Sequence, residues 1–273
     1  MRSGILAPTL VAAVIVLAAG TPRRLYAQGR TGGQAPASPP TARAAAPIDL
    51  TWNWVSIISE DWRWRMVTPA KGDYQSVPIT AEAKRIADAW NPATDQAAGE
   101  QCKSYGAPAI MRVPTRLRVS WLDDNTVKVE TDAGMQTRLL RFGAPKPPKG
   151  PPTWQGHSVA EWEIAGGRGA GGRGAGGRGA GGTNSQPTFG DLKVVTTDMR
   201  PGYLRKNGIP YSANAVLTEY WDLHREPNGD QWLVVTSLVD DPKYLQQQYV
   251  TSPNFKKEGD GSKWEPTPCS ATW

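Results

Sequence analysis

Three observations predict an all-β chain built mainly on an antiparallel meander. Alternating apolar and polar residues run from Leu117 to Phe142 and are broken twice by turn chemistry. The same alternation returns at 158–164, 192–197, 213–223 and 231–239, with Pro227-Asn228-Gly229-Asp230 as the turn between the last two. A helical apolar period is read at one place, residues 80–90, so the class is all-β with one short helix. Meanders of this kind belong to sandwiches and to up-and-down barrels.

At the N-terminus, Arg2 precedes an apolar run from Ile5 to Ala19 and the small-residue end Leu25-Tyr26-Ala27. Residues 1–27 therefore read as a signal peptide, and the expected location is periplasmic or secreted. The run is fifteen residues long and holds Pro8, short of the roughly 20 apolar residues of a spanning helix, so no stable membrane anchor is expected. Residues 28–48 are Gly, Ala, Pro, Thr and Arg with scarcely a large apolar side chain, which predicts a disordered leader. One β-rich domain, 49–273, follows.

Within the domain, Thr51–Ile58 reads as the first strand, with Trp52 and Trp54 on one face. Trp62 and Trp64 repeat that spacing after Ser59-Glu60-Asp61, with Arg63 and Arg65 opposite, which predicts a hairpin with an apolar and a basic face. Thr80 is placed to cap a helix, Glu82 sits in its positive first turn, and Ala83, Ile86, Ala87 and Trp90 make its apolar stripe. Asn91-Pro92 stops it. In the meander, Leu117, Val119 and Trp121 share a face, Asp123-Asp124-Asn125 turns the chain, and Val127 and Val129 resume the period. Asp132-Ala133-Gly134 then turns it toward Gln136–Phe142. Five prolines between Pro145 and Pro152 make an extended connector. Gly166 to Gly182, three copies of Gly-Gly-Arg-Gly-Ala with a trailing Gly-Gly, reads as a disordered loop between two strands that pair as a hairpin.

The net charge of +6 invites a nucleic-acid reading that its distribution removes. Eight of the 31 basic residues lie in the signal, the leader and the glycine repeat, leaving 23 against 25 acidic residues. A near-neutral domain offers no footprint for phosphate backbones, so no nucleic-acid partner is expected. Cys102 and Cys269 are the only cysteines, and an even number in an exported chain predicts one disulfide.

Most motifs have plainer readings. Gly156-His157-Ser158-Val159-Ala160 lacks the final glycine, the preceding strand and the following helix of a nucleophile elbow, and reads as a turn into a strand. His157 and His224 are the only histidines, which excludes a three-histidine metal site. Asp123-Asp124-Asn125 and Asp240-Asp241 lack EF-hand spacing and read as turns. Gly167-Arg168-Gly169-Ala170-Gly171-Gly172 fits the dinucleotide-binding pattern by composition alone. No metal or cofactor is expected. One constellation stands out: Glu219 shares an apolar face with Leu217 and Trp221, and Arg138 shares one with Leu140 and Phe142. Groups so placed must pair, reach water or line a cavity.

Pro152-Thr153-Trp154-Gln155-Gly156-His157-Ser158, Ala160-Glu161-Trp162-Glu163, Leu192 to Thr197, Tyr211 to Tyr220 and Asp241-Pro242 occur in an order that resembles a family of uncharacterised exported bacterial β-rich proteins. In those proteins Gly-Asp turns directly into the Leu-x-Val-x-Thr strand. Here Gly190-Asp191 precedes Leu192, so the glycine-arginine segment reads as an insertion. Asp49-Leu50-Thr51 with Trp52 and Trp54 is also similar to the lipocalin-type opening, with Asn53 where a glycine is expected. These resemblances imply a calycin-like barrel or half-barrel rather than a sandwich, and bring no activity.

The leading expectation is a binding protein for a small, largely apolar ligand, with ligand-binding residues among Trp52, Trp54, Trp121, Trp221, Arg138 and Glu219. Twelve tryptophans against three phenylalanines motivate it. The alternative is a hydrolase- or isomerase-type enzyme with Glu219 as acid or base and Arg138 steadying an anion, which needs both in an open cleft. A third reading is a structural or partner-binding surface protein. The sequence leaves oligomeric state open.

Overall fold

The computed structural model describes residues 39–143, 145–164 and 190–272. The predicted signal peptide, most of the leader and the glycine-arginine loop lie outside the described residues. Twelve strands follow one another: β1 (Trp52–Ile57), β2 (Arg116–Asp123), β3 (Thr126–Thr131), β4 (Thr137–Phe142), β5 (His157–Ile164), β6 (Gly190–Thr197), β7 (Gly202–Tyr203), β8 (Pro210–Tyr211), β9 (Val216–Arg225), β10 (Gln231–Asp240), β11 (Tyr249–Thr251) and β12 (Asn254–Lys257). The ring β10-β12-β1-β2-β3-β4-β5-β6-β9 returns to β10 and closes a nine-strand barrel. Strands β11 and β12 share one edge of β10, and β7 and β8 form a separate ribbon. Every neighbour in the ring is antiparallel except β4 and β5, which run parallel with Leu140 beside Ser158.

The meander, the β5–β6 hairpin and the β9–β10 hairpin match the sequence reading. Strand β9 starts later than its alternation suggests, because Asp241 accepts from the Ser212 amide and hydroxyl and holds 212–215 in a turn. Inward residues fill the barrel: Trp54, Leu117, Val129, Leu140, Leu192, Val194, Trp221, Leu233 and Phe255 are all buried.

Helical segments cap one end. They are α1 (Trp62–Arg65), α2 (Ala81–Asp88), α3 (Pro92–Ala97), a 3-10 turn (Gln101–Tyr105) and α4 (Ala107–Ile110). Thr80 caps α2 through its hydroxyl, which accepts from the Ala83 amide. Asn91 not only ends that helix but caps α3, so the helical content exceeds the one helix expected. Tyr74, Val77, Leu204, Tyr211, Leu217 and Val239 belong to a second apolar cluster between this cap and the barrel.

The hairpin expected after β1 is corrected: Trp62–Arg65 is a helical turn, entered through Asp61 at φ 50°. Strand β1 is already paired with β2 on one edge and β12 on the other, which leaves no edge for a hairpin partner. The leader boundary is corrected too. Ala42 donates its amide to Asn125, the Arg43 amide donates to the Asp124 carbonyl, and Trp162 Nε1 donates to the Ala42 carbonyl. Residues 40–48 are thus a strap across the barrel end opposite the helical cap, held by backbone groups that composition does not reveal.

Candidate functional site

The strap runs beside the start of β6 and the end of β9. Their register places Leu192 opposite Trp221, both inward, so the next outward pair along the strands is Asp191 and Asp222. His224 follows on the same face as Asp222, and Gly190 begins β6. Gly190 is needed as glycine, because an added Cβ would meet the Glu163 carbonyl at 2.5 Å and Pro47 at 3.0 Å.

Together Pro47–Asp49, Gly190, Asp191 and Asp222–Arg225 enclose a cleft of about 570 Å³, within the size range of small-molecule sites. Pro47, Ile48 and Leu223 give it apolar walls, and Asp49, Asp191 and Asp222 give it acid. Asp191 is pushed up from 3.8 to about 6, first by burial, then by the hydrogen bond its protonated carboxyl donates to Asp222 and by the charge of Asp222, with His224 opposing. While Asp191 keeps its proton, up to about pH 6, its carboxyl is a hydrogen-bond donor beside the acceptor oxygens of Asp222.

On the other side of the strap a cleft of about 430 Å³ is lined by Arg43, Pro47, Ile48, Thr51 and Trp121. Trp121 stacks on Phe142 at 5.9 Å, and Phe142 meets Trp162 at 5.3 Å, so three aromatic rings support the strap from inside the rim.

The four tryptophans expected to wall one pocket do not converge. Trp54 and Trp221 are core residues, and Trp54 Nε1 donates to the Leu50 carbonyl. Trp52 is 43% exposed, under Lys257, with its Nε1 donating to the Glu258 carbonyl. Of the four, Trp121 alone lines either rim cleft. The barrel interior is packed, so the expected apolar pocket within it is corrected to clefts at the rim.

Arg138 and Glu219 do meet, with Nη1 and Nη2 donating to Oε1 and Oε2 at 2.9 and 2.5 Å. Both side chains are sealed from solvent, and Thr196 accepts a further bond from Arg138. Among the described residues no open cleft of the kind acid–base work would require reaches them. His157 is buried with Nε2 donating to the Pro145 carbonyl, and the Ser158 hydroxyl bonds Thr196. Gly156, at φ 60°, turns the chain into β5, and a Cβ there would lie 2.5 Å from the Thr197 carbonyl. The elbow-like motif is a structural turn. Cys102 and Cys269 form the expected disulfide, with Cα atoms 5.1 Å apart.

Among the described residues no group of three His, Cys, Asp or Glu side chains is placed to hold a metal, and no helix is long and apolar enough to cross a membrane. The Asp191–Asp222 pair was missed in the sequence because only the register of β6 on β9 brings it together. No protein-family model matches the chain, and no curated protein or solved structure matches it either.

Proposed function

We propose that this is an exported binding protein whose small ligand sits in the strap-covered cleft at the barrel rim. The cleft beside Asp191 and Asp222 carries this reading: it combines apolar walls with two neighbouring carboxyls, and suits a compact molecule with an apolar body and an amine or hydroxyl group. The apolar run before residue 27 and the disulfide support export. Native mass spectrometry of protein purified from its own host tests it. A retained small molecule that Asp222→Ala releases is the expected result; a bare wild-type chain, or a ligand held equally by the variant, would sink this reading.

The raised Asp191 favours a second reading, acid–base chemistry in the same cleft, because a carboxyl that titrates near 6 moves protons close to neutral pH. Incubation of the captured molecule with the protein distinguishes the two. Turnover abolished by Asp191→Asn supports catalysis, and recovery of unchanged molecule supports binding.

A further inference from the structure

A second site lies in the helical cap, at the opposite end of the barrel from the strap. Arg65, Arg112, Arg205 and Lys206 are 2%, 6%, 4% and 4% exposed and line one pit of about 20 Å³ with Trp64 and Leu204. Burying cations without partners is costly, so each donor has to be accounted for.

Arg112 is satisfied by Glu60 at 3.3 Å and Asp61 at 2.8 Å. Lys206 Nζ donates to the Tyr105 hydroxyl at 2.6 Å and to the Ser270 carbonyl at 3.2 Å. Arg65 spends only Nε, on the Arg112 carbonyl at 2.9 Å; its Nη1 and Nη2 are buried and find no hydrogen bond, the nearest carboxylate oxygen, on Glu60, being 3.7 Å away. Arg205 spends only Nη1, on the Gln75 carbonyl at 2.7 Å, and its Nε and Nη2 are buried without acceptors while its plane lies over Trp64. Each arginine thus keeps one complete two-donor edge, the arrangement that grips two oxygens of a carboxylate or phosphate.

Nearby acids do not answer this. Glu60 and Asp61 are engaged by Arg112, and Asp73 gives Oδ2 to Arg63 at 2.6 Å; Asp73 Oδ1 stays buried without a hydrogen bond, so its charge reaches Arg205 but it accepts from neither free edge. Burial and the charge of Arg112 hold the Arg65 guanidinium down to about 10, and burial pushes the Lys206 ammonium down to about 7. Desolvated cations crowded together behave this way, and an anion among them would relieve it.

We propose that this pit is an oxyanion site in which the free edges of Arg65 and Arg205 receive the oxygens of a carboxylate or phosphate group. Its volume admits about one water-sized atom, so the leading oxygens enter and the rest of the group stays at the open mouth. The site is independent of the rim cleft.

Titration calorimetry with inorganic phosphate, acetate and chloride at fixed ionic strength tests this on the whole protein. Saturable single-site binding of phosphate or acetate is expected, and the tighter of the two identifies the group. Arg205→Gln and Arg65→Gln should each weaken it about tenfold or more, the effect of losing charge-assisted hydrogen bonds. Absence of saturable oxyanion binding, chloride binding as tightly, or folded variants that bind like wild type would overturn it. Should both variants fail to fold, the arginine side-chain Nε–H resonances of the wild type decide: phosphate or acetate shifting Arg205 supports the site, and an unmoved Arg205 refutes it.

Discussion

Arg138 lays two guanidinium nitrogens on the two carboxylate oxygens of Glu219, joining β4 to β9 across the closed interior of the barrel. The pair compensates itself, so removing one member leaves the other charged, buried and alone. Glu219→Ala should cost about 3–5 kcal/mol in urea unfolding, whereas the joint replacement Arg138→Met with Glu219→Leu should recover most of that loss. A single variant as stable as wild type would mean that water reaches the pair.

Asp191 makes stability depend on pH in an unusual direction for an acid. Folded Asp191 keeps its proton to about pH 6 while an unfolded aspartate releases it near 3.8, so the folded chain binds more protons in that window and loses stability as pH rises through it. Asp191→Asn abolishes the loss. Its melting temperature should exceed wild type by about 2–4 °C at pH 7.5, equivalent to about 1 kcal/mol after solvent screening, and match it near pH 4. Equal melting temperatures at pH 7.5 would mean that neither burial nor Asp222 raises Asp191.

The Cys102–Cys269 bond spans 167 positions of chain and ties the helical cap to the C-terminal segment. Closing so long a loop restricts the unfolded chain by up to about 5 kcal/mol. Reduction should lower the urea midpoint markedly, and non-reducing peptide mapping should recover the two cysteines in one linked fragment.

Deletion of residues 166–182 should change stability by only about 1 kcal/mol, the loop-length term alone. Strands β5 and β6 already pair from His157–Thr197 out to Ile164–Gly190 without them. Unfolding of the deletion variant would contradict this.

What was legible in the sequence was local. Period-two alternation revealed β2, β3 and β4, and a charge on each of two apolar faces singled out Arg138 and Glu219 before any register was known. Trp62-Arg63-Trp64-Arg65 misled because alternation over four residues fits a strand and a helical turn equally, and only the occupied edges of β1 decide. The tryptophans misled for another reason. Their number says nothing of convergence, and Trp54 and Trp221 went to packing the interior. The rim cleft depends on long-range register and on backbone bonds at Ala42 and Arg43, neither of which leaves a mark in residue type.

The parallel junction between β4 and β5 has a topological origin. Around any closed ring the strand direction must return to itself, so reversals come in even number, and nine strands cannot all alternate. At least one junction must keep its sense, and here a single one does. A tight hairpin cannot make such a junction, because the chain has to travel back before it descends again. Gln155, donating to the Tyr105 carbonyl, and Thr153, bridged to Met199, guide that return over the capped end. The proline-rich connector therefore settles the parity of the barrel, and replacing it with a two-residue turn would demand a ring of eight or ten strands.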